Sequence, residues 1–259
     1  MEFDVHLFWD TLFSEPYLKG AILSVEVAFF AQLLAVGLGF LVALGRTSRH
    51  RWVRSISWLY VWFFRAIPAL LVLLIIWNAG PQLVPALRDD WFSPFLAAFI
   101  GLGVVEAAYM AEIIRASLLS VDEGQTLAAR AIGLPPSGVM RKVVLPQAIR
   151  IALPPTGNEL IGMIKYTSLA SVISLRELLT TASIGVSVTF RYAEYYAAAL
   201  VYYLVIVSVV MAIQAAVERR FRWISKHGPS APQFVAGEII PAPASAMPAS
   251  AAMPKVAEA

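Results

Sequence analysis

The chain contains no cysteine, and its three histidines are scattered. Without cysteine there is no disulfide framework, no CxxC redox pair and no thiolate metal site. His6 and His227 lie near the ends and His50 falls in an arginine-rich stretch, so no metal-ligand spacing arises and no metal site is expected. Charge is also scarce: charged residues make up 14% of the 259 positions, against about 25% in a soluble domain. The formal net charge is only +3, and no basic block interleaved with aromatics points to nucleic acid. No G-x-x-x-x-G-K-[ST] phosphate loop is present, so no ATP site of that kind is expected on this chain. HExxH and G-x-S-x-G are equally missing, which removes the common routes to an intramembrane enzyme. The acidic positions Glu2, Asp4, Asp10 and Glu15 stand where a cleaved leader would be basic, so the first apolar segment is expected to stay in the membrane.

What remains is apolar. Hydrophobic residues account for 59% of the chain, and the mean hydropathy is +0.72. One aqueous core does not absorb that much apolar surface, so the reading is an all-α polytopic membrane protein. Five segments are long and apolar enough to span, near 21–44, 57–83, 93–118, 153–179 and 194–217. Pro68 is expected to kink the second, with Arg65 anchoring the bend. The fourth is interrupted by Pro154, Pro155, Asn158, Glu159 and Lys165, whose polar groups require protein or a water-filled cavity. Basic residues cluster after the first span (Arg46, Arg49, Arg51, Arg54), between the third and fourth (Arg130, Arg141, Lys142, Arg150) and after the fifth (Arg219, Arg220, Arg222, Lys226). With five spans these segments share one side, which the positive-inside rule makes cytoplasmic, leaving residues 1–20 outside and the C-terminus inside. Trp58, Trp62, Trp77 and Trp91 fall toward segment ends, where indoles favour the interface. Residues 223–259 turn to Pro, Ala and Ser and are expected to form a disordered cytoplasmic tail.

The cytoplasmic loop 120–150 is too long for a simple connection. Asp122 and Glu123 suit a helix N-terminus, 126–132 is alanine-rich, and Gly133 is placed to cap it. Leu134-Pro135-Pro136-Ser137-Gly138 makes a turn, and 139–145 restarts a helix that Pro146 is expected to end. The first helix is amphipathic, a form that lies in another protein's groove.

The residues Gly124-Gln125-Thr126-Leu127-Ala128-Ala129-Arg130-Ala131-Ile132-Gly133, followed by Leu145-Pro146, resemble the EAA loop of ABC importer permeases, with Leu127 where the motif has Glu. Phe64-Arg65-Ala66-Ile67-Pro68 is similar to the Phe-Arg-Gly-Thr-Pro of polar amino acid permeases, with the Gly and Thr changed. Ala108-Tyr109-Met110-Ala111-Glu112, Leu153-Pro154-Pro155-Thr156-Gly157-Asn158-Glu159 and Lys165-Tyr166-Thr167-Ser168 extend the likeness, with Tyr166 where Asp is usual. The resemblance implies a binding-protein-dependent importer of a polar amino acid in the bacterial inner membrane. It also implies partners: cytosolic ATPase subunits that hold ATP-Mg, a second permease (the same or a homologous chain) and a periplasmic solute-binding protein. In it, Gly124, Ala128, Ala129, Arg130, Gly133, Leu145 and Pro146 belong to the loop that couples to the ATPase.

For the pathway itself the residues offer Glu106, Tyr109, Asn158 and Lys165. A charge inside a span costs about 2.5–3.5 kcal/mol on insertion scales, so Glu106 is expected to face a cavity, contacting a cationic group, or to hydrogen-bond a neighbouring helix. Glu26 lies close enough to the outer interface to snorkel. Glu159 and Lys165 fall on different helix faces and are not expected to pair; they are expected to cap, to hydrogen-bond neighbouring spans or to line the gate. The glycines Gly37, Gly39, Gly101 and Gly103 suit close helix contact. A secondary transporter or channel is the rival reading, and its support would be an ion relay, for which Glu26 and Glu106 are few; five spans also sit poorly with paired inverted repeats.

Overall fold

In the computed structural model, which describes residues 3–221, the regular elements are all helical. The expected tail, 223–259, lies outside the described residues. α1 (Val5–Leu12) begins at Asp4, whose side chain accepts from the Leu7 N–H at 3.0 Å. α2 (Glu15–Arg46) carries Pro16 in its first turn, where the missing N–H costs nothing. Its 32 residues extend about 48 Å, more than a hydrocarbon core of about 30 Å requires.

The second apolar segment is not one kinked helix. α3 (Arg51–Ala66) stops before Ile67 and Pro68, which are both extended, and α4 (Ala69–Leu74) leaves at 101° to it. Proline explains the break: it excludes the preceding residue from the α region and supplies no N–H to continue the ladder. α4 runs through a π-type turn (Ile75–Ala79) into α5 (Gly80–Leu83). Trp77 packs on Phe92 at 5.7 Å against the main core.

α6 (Pro94–Leu119) is capped by Ser93, whose hydroxyl accepts from the Leu96 N–H. α7 (Glu123–Ala131) and α8 (Pro136–Val139) follow, then a π-type turn (Met140–Val144) and α9 (Leu145–Tyr166). Pro146 therefore does not end a helix. Its ring excludes the ordinary bond to residue 142, and the backbone widens just before it, with the Leu145 N–H reaching back to the Met140 carbonyl. The fourth apolar segment consequently starts well before residue 153, as a continuation of the loop's second helix. It passes into a 3₁₀ stretch (Thr167–Ile173), turns at left-handed Ser174 and resumes, bent by 48°, as α10 (Leu178–Thr189). α11 (Tyr192–Phe221) closes the described chain. Among the described residues, α2, α6 and α11 are long and apolar enough to cross a membrane alone, and the two bent pairs raise the number to five.

The main core joins Val27, Ala28 and Ala31 of α2, Leu73 of α4, Ala97, Ala98 and Leu102 of α6, and Met163 and Ile164 of α9. A second cluster ties α1 and the start of α2 to α10 and α11 through Leu12, Tyr17, Leu178, Ala182 and Ala198. α6 is the most enclosed, with 61% of its most apolar window buried against none for α11. It holds α2 through small residues four apart: Ala35, Gly39 and Ala43 on one side, Gly103, Ala107 and Ala111 on the other. A Cβ on Gly39 would come within 2.7 Å of Met110 Cβ and 3.0 Å of the Ala107 carbonyl oxygen, and one on Gly103 within 2.7 Å of Leu34. Gly37, two residues away, meets nothing within 4 Å.

That contrast makes a paired test. Gly39→Leu is expected to cost about 1–3 kcal/mol or more through overpacking against backbone, while Gly37→Leu is tolerated. Thermal unfolding of the detergent-solubilised variants checks this: equal midpoints for the two would contradict the packing described.

Candidate functional site

The break at Pro68, the enclosed face of α6 and the start of the 3₁₀ stretch surround a cavity of about 400 Å³. Ile67, Pro68 and Ala69 form one wall, Leu102, Glu106 and Tyr109 of α6 a second, and Glu159, Met163 and Tyr166 of α9 a third. Glu106 is 4% exposed, and its Oε1 is fully buried without a hydrogen-bond partner. Beside it stands the Glu159 carboxyl, so two acids share one apolar chamber. Among the described residues no lysine or arginine lines the cavity, and Lys165 is exposed outside it.

Of the four residues expected on the pathway, the structure brings Glu106 and Tyr109 together. Asn158 turns instead to α11, where the Gln214 amide donates to its Oδ1 at 3.2 Å and to the Pro154 carbonyl at 3.2 Å. Glu26 is exposed on α2 and also lies outside the cavity. Glu159, for which lining a gate was one of the expectations, joins the site through its position on α9.

The loop 120–150 is built around Gly133. Asp122 caps α7 by accepting from the Gly124 N–H at 2.7 Å. At the other end Gly133 takes φ +85°, its N–H bonds to the Arg130 carbonyl at 2.9 Å, and the Leu134 N–H bonds to the Ala129 carbonyl at 3.2 Å. This six-to-one, five-to-two pair is a Schellman cap, which favours a residue without Cβ. Ala129 packs inward with Val121, Val139, Val144 and Ala148, fixing α7 against the base of α9. Gly124, Ala128 and Arg130 face out, as do Leu127 at 62% exposure and Ile132 at 80%. Leu145 and Pro146 belong to α9 rather than to the exposed helix.

Two other polar clusters carry no obvious sequence signature. Glu177 is wholly buried and caps α10, accepting from the N–H groups of Leu179 at 2.8 Å and Thr180 at 2.7 Å and from the Tyr203 hydroxyl at 3.2 Å. A span running to residue 179 conceals this acid; a helix start at 178 explains it, because a carboxylate satisfies free N–H groups there. Glu112 binds Arg46 at 3.2 Å and Arg115 at 2.8 Å, joining the ends of α2 and α6.

Comparisons with known proteins agree with this geometry. The family model described as "binding-protein-dependent transport system inner membrane component" matches residues 35–223. An arginine transport system permease protein, ArgU, of Corynebacterium glutamicum is 37% identical over 227 residues, covering 82% of this chain and 72% of that protein. An octopine transport system permease protein, OccM, of Rhizobium meliloti is 38% identical over 223 residues, covering 84% and 90%. The crystal structure of an amino acid ABC transporter with histidines superposes at a TM-score of 0.77 with 33% identity, over 85% of this chain and all of that one. With a family match over most of its length and relatives this similar, the chain belongs to the binding-protein-dependent transport system inner membrane components, the permease subunits of ABC transporters.

Proposed function

We propose that the chain forms the membrane pathway of an ATP-driven importer for amino acids and related compounds, and that the Glu106–Glu159 chamber receives the cationic part of the solute. One observation carries the chamber reading: Glu106, whose Oε1 is buried and without a hydrogen-bond partner among the described residues, lines a cavity together with a second acid, Glu159. Ionising a buried acid beside a second acid is costly without a counter-charge, and a cation entering from outside supplies it. The cavity's size suits an amino acid, and the arginine and histidine named with two similar proteins both have basic side chains. Tyr109 lies on the same wall and offers a hydroxyl and a ring face to a cation.

The chain lacks a phosphate loop, so ATP-Mg is held by a separate ATPase subunit. α7 meets that subunit: Leu127 and Ala128 on its outward face, with Ile132 just past its end, give an exposed apolar surface flanked by Arg130. Leu127 in place of the motif's Glu makes this contact apolar rather than ionic. A second permease, identical or homologous, completes the pathway, and a solute-binding protein delivers from the outer side. The basic loops set the N-terminus outside and α7 in the cytoplasm. Closure of the ATPases moves α7, and Ala129 transmits that displacement to α9, which carries Glu159.

Glu106→Gln removes the charge and keeps the shape. In the reconstituted importer it is expected to weaken arginine affinity roughly 10–100-fold, the range for losing a hydrogen bond to a charged group, with less effect on glutamine. Unchanged affinity for every solute tested would remove Glu106 from the pathway. Gly133→Asp is expected to insert normally, since a Cβ there meets nothing within 4 Å, yet to uncouple transport by straining the cap that sets α7. Full uptake with normal ATPase stimulation in that variant would refute the docking assignment.

A further inference from the structure

A second polar cavity, separate from the acidic chamber, opens where the end of α2 meets α3 and α6. It measures about 380 Å³, and its charges are predominantly positive: Arg46 and Arg65 line it beside a single acid, Glu112. Arg115 already binds that acid at 2.8 Å, with Arg46 at 3.2 Å on its other oxygen. One carboxylate therefore serves two guanidinium groups, and Arg65 adds a third cation whose guanidinium lies 5.4 Å from the Tyr109 ring centroid. The Arg46 Nε is buried and has no hydrogen-bond partner. Such a pocket has excess positive charge.

Its rim is aromatic. Trp58 and Trp62 line the cavity, lie nearly parallel at 6.2 Å and 8°, and are each about half exposed. Exposed indoles of this kind prefer the membrane interface. α3 itself begins at Arg51, follows the basic stretch Arg46 to Arg51, and exposes Trp52 and Ile56 near its start, where the bent pair enters the membrane. Positive charge at headgroup depth, flanked by tryptophan, is complementary to a phosphate ester whose acyl chains remain in the bilayer.

We infer that this pocket holds the headgroup of an anionic phospholipid, its phosphate between Arg46 and Arg65 and its acyl chains leaving past Trp58 and Trp62. The site is distinct from the solute chamber, although Tyr109 stands between the two, touching Arg65 on one side and the chamber on the other. The reading requires only that the junction of α2 and α3 lie at headgroup depth and does not depend on which solute the chamber takes. A neutral lipid offers no net charge to compensate the pocket, so selection by headgroup charge is the property to measure.

The test is native mass spectrometry of the full chain released from nanodiscs containing equal amounts of phosphatidylglycerol and phosphatidylethanolamine. The expected result is at least fivefold preferential retention of phosphatidylglycerol by the wild type. Arg65→Gln should abolish the preference, Arg65→Lys should keep most of it, and millimolar inorganic phosphate should not displace the lipid. Among the described residues Arg65 makes no salt bridge, and Lys serves as the check should Gln fail to insert. Equal retention of the two lipids, or the same preference in Arg65→Gln, overturns the inference. Displacement by inorganic phosphate overturns the lipid assignment in favour of a free anion. Exclusion of any lipid by a second copy of the chain, seen as a lipid-free dimer, overturns it in favour of a protein contact.

Discussion

The close approach of α2 and α6 governs the rest of the structure. In lipid, apolar side chains gain nothing by leaving one hydrocarbon for another, so helices associate where small residues let their surfaces interlock. Gly39 against Met110 and Gly103 against Leu34 leave no space for a methyl group, and alanines continue the seam in both directions. With one face committed to α2, the remaining faces of α6 are assigned in turn. Gly101 receives Leu73 of α4, the Val104 carbonyl accepts from the Tyr60 hydroxyl at 2.6 Å, and Glu112 takes Arg46. Glu106 and Tyr109 are what is left over, and the cavity is the space that no neighbour fills.

Proline defines that space by what it denies the backbone. Pro68 divides an apolar segment that composition alone would make continuous, and the extended residues Ile67 and Pro68 become a cavity wall. Irregular backbone is tolerated at membrane depth where protein or a cavity covers it, so the break and the chamber explain each other. Pro146 acts differently. Because the chain widens into a π-type turn before it, α8 and α9 form one path from the exposed loop to Glu159. A rigid path of that kind is what a coupling element needs if a displacement at α7 is to reach the chamber.

Much of the architecture was legible beforehand. The apolar segments are sums over local composition, and the basic stretches that orient them are equally local, so both can be counted along the chain. Gly133 was legible because a cap depends on a handful of neighbouring residues. The family resemblance was legible too, carried by motifs spread from Phe64 to Ser168. Less legible were the outcomes at proline. Periodicity does not tell a kink from a break or a stop from a π-type turn, because the choice rests on what packs beside the altered backbone.

Asn158 and Glu159 show the limit most clearly. They are adjacent in sequence and similarly polar, yet one turns to Gln214 of α11 and the other to Glu106 of α6. Likewise Glu106, Glu112 and Glu177 read alike as acids in apolar surroundings, while the folded chain makes one a cavity wall, one an ion-pair centre and one a helix cap. The sequence by itself determined the solvent, the helical class, the apolar segments and the family, since hydropathy, charge and motif spacing are properties of neighbours along the chain. Only the tertiary structure decided which acids share a chamber and which arginines share a pocket, because those pairings depend on helix rotation, set by the fit of small residues between segments far apart in sequence.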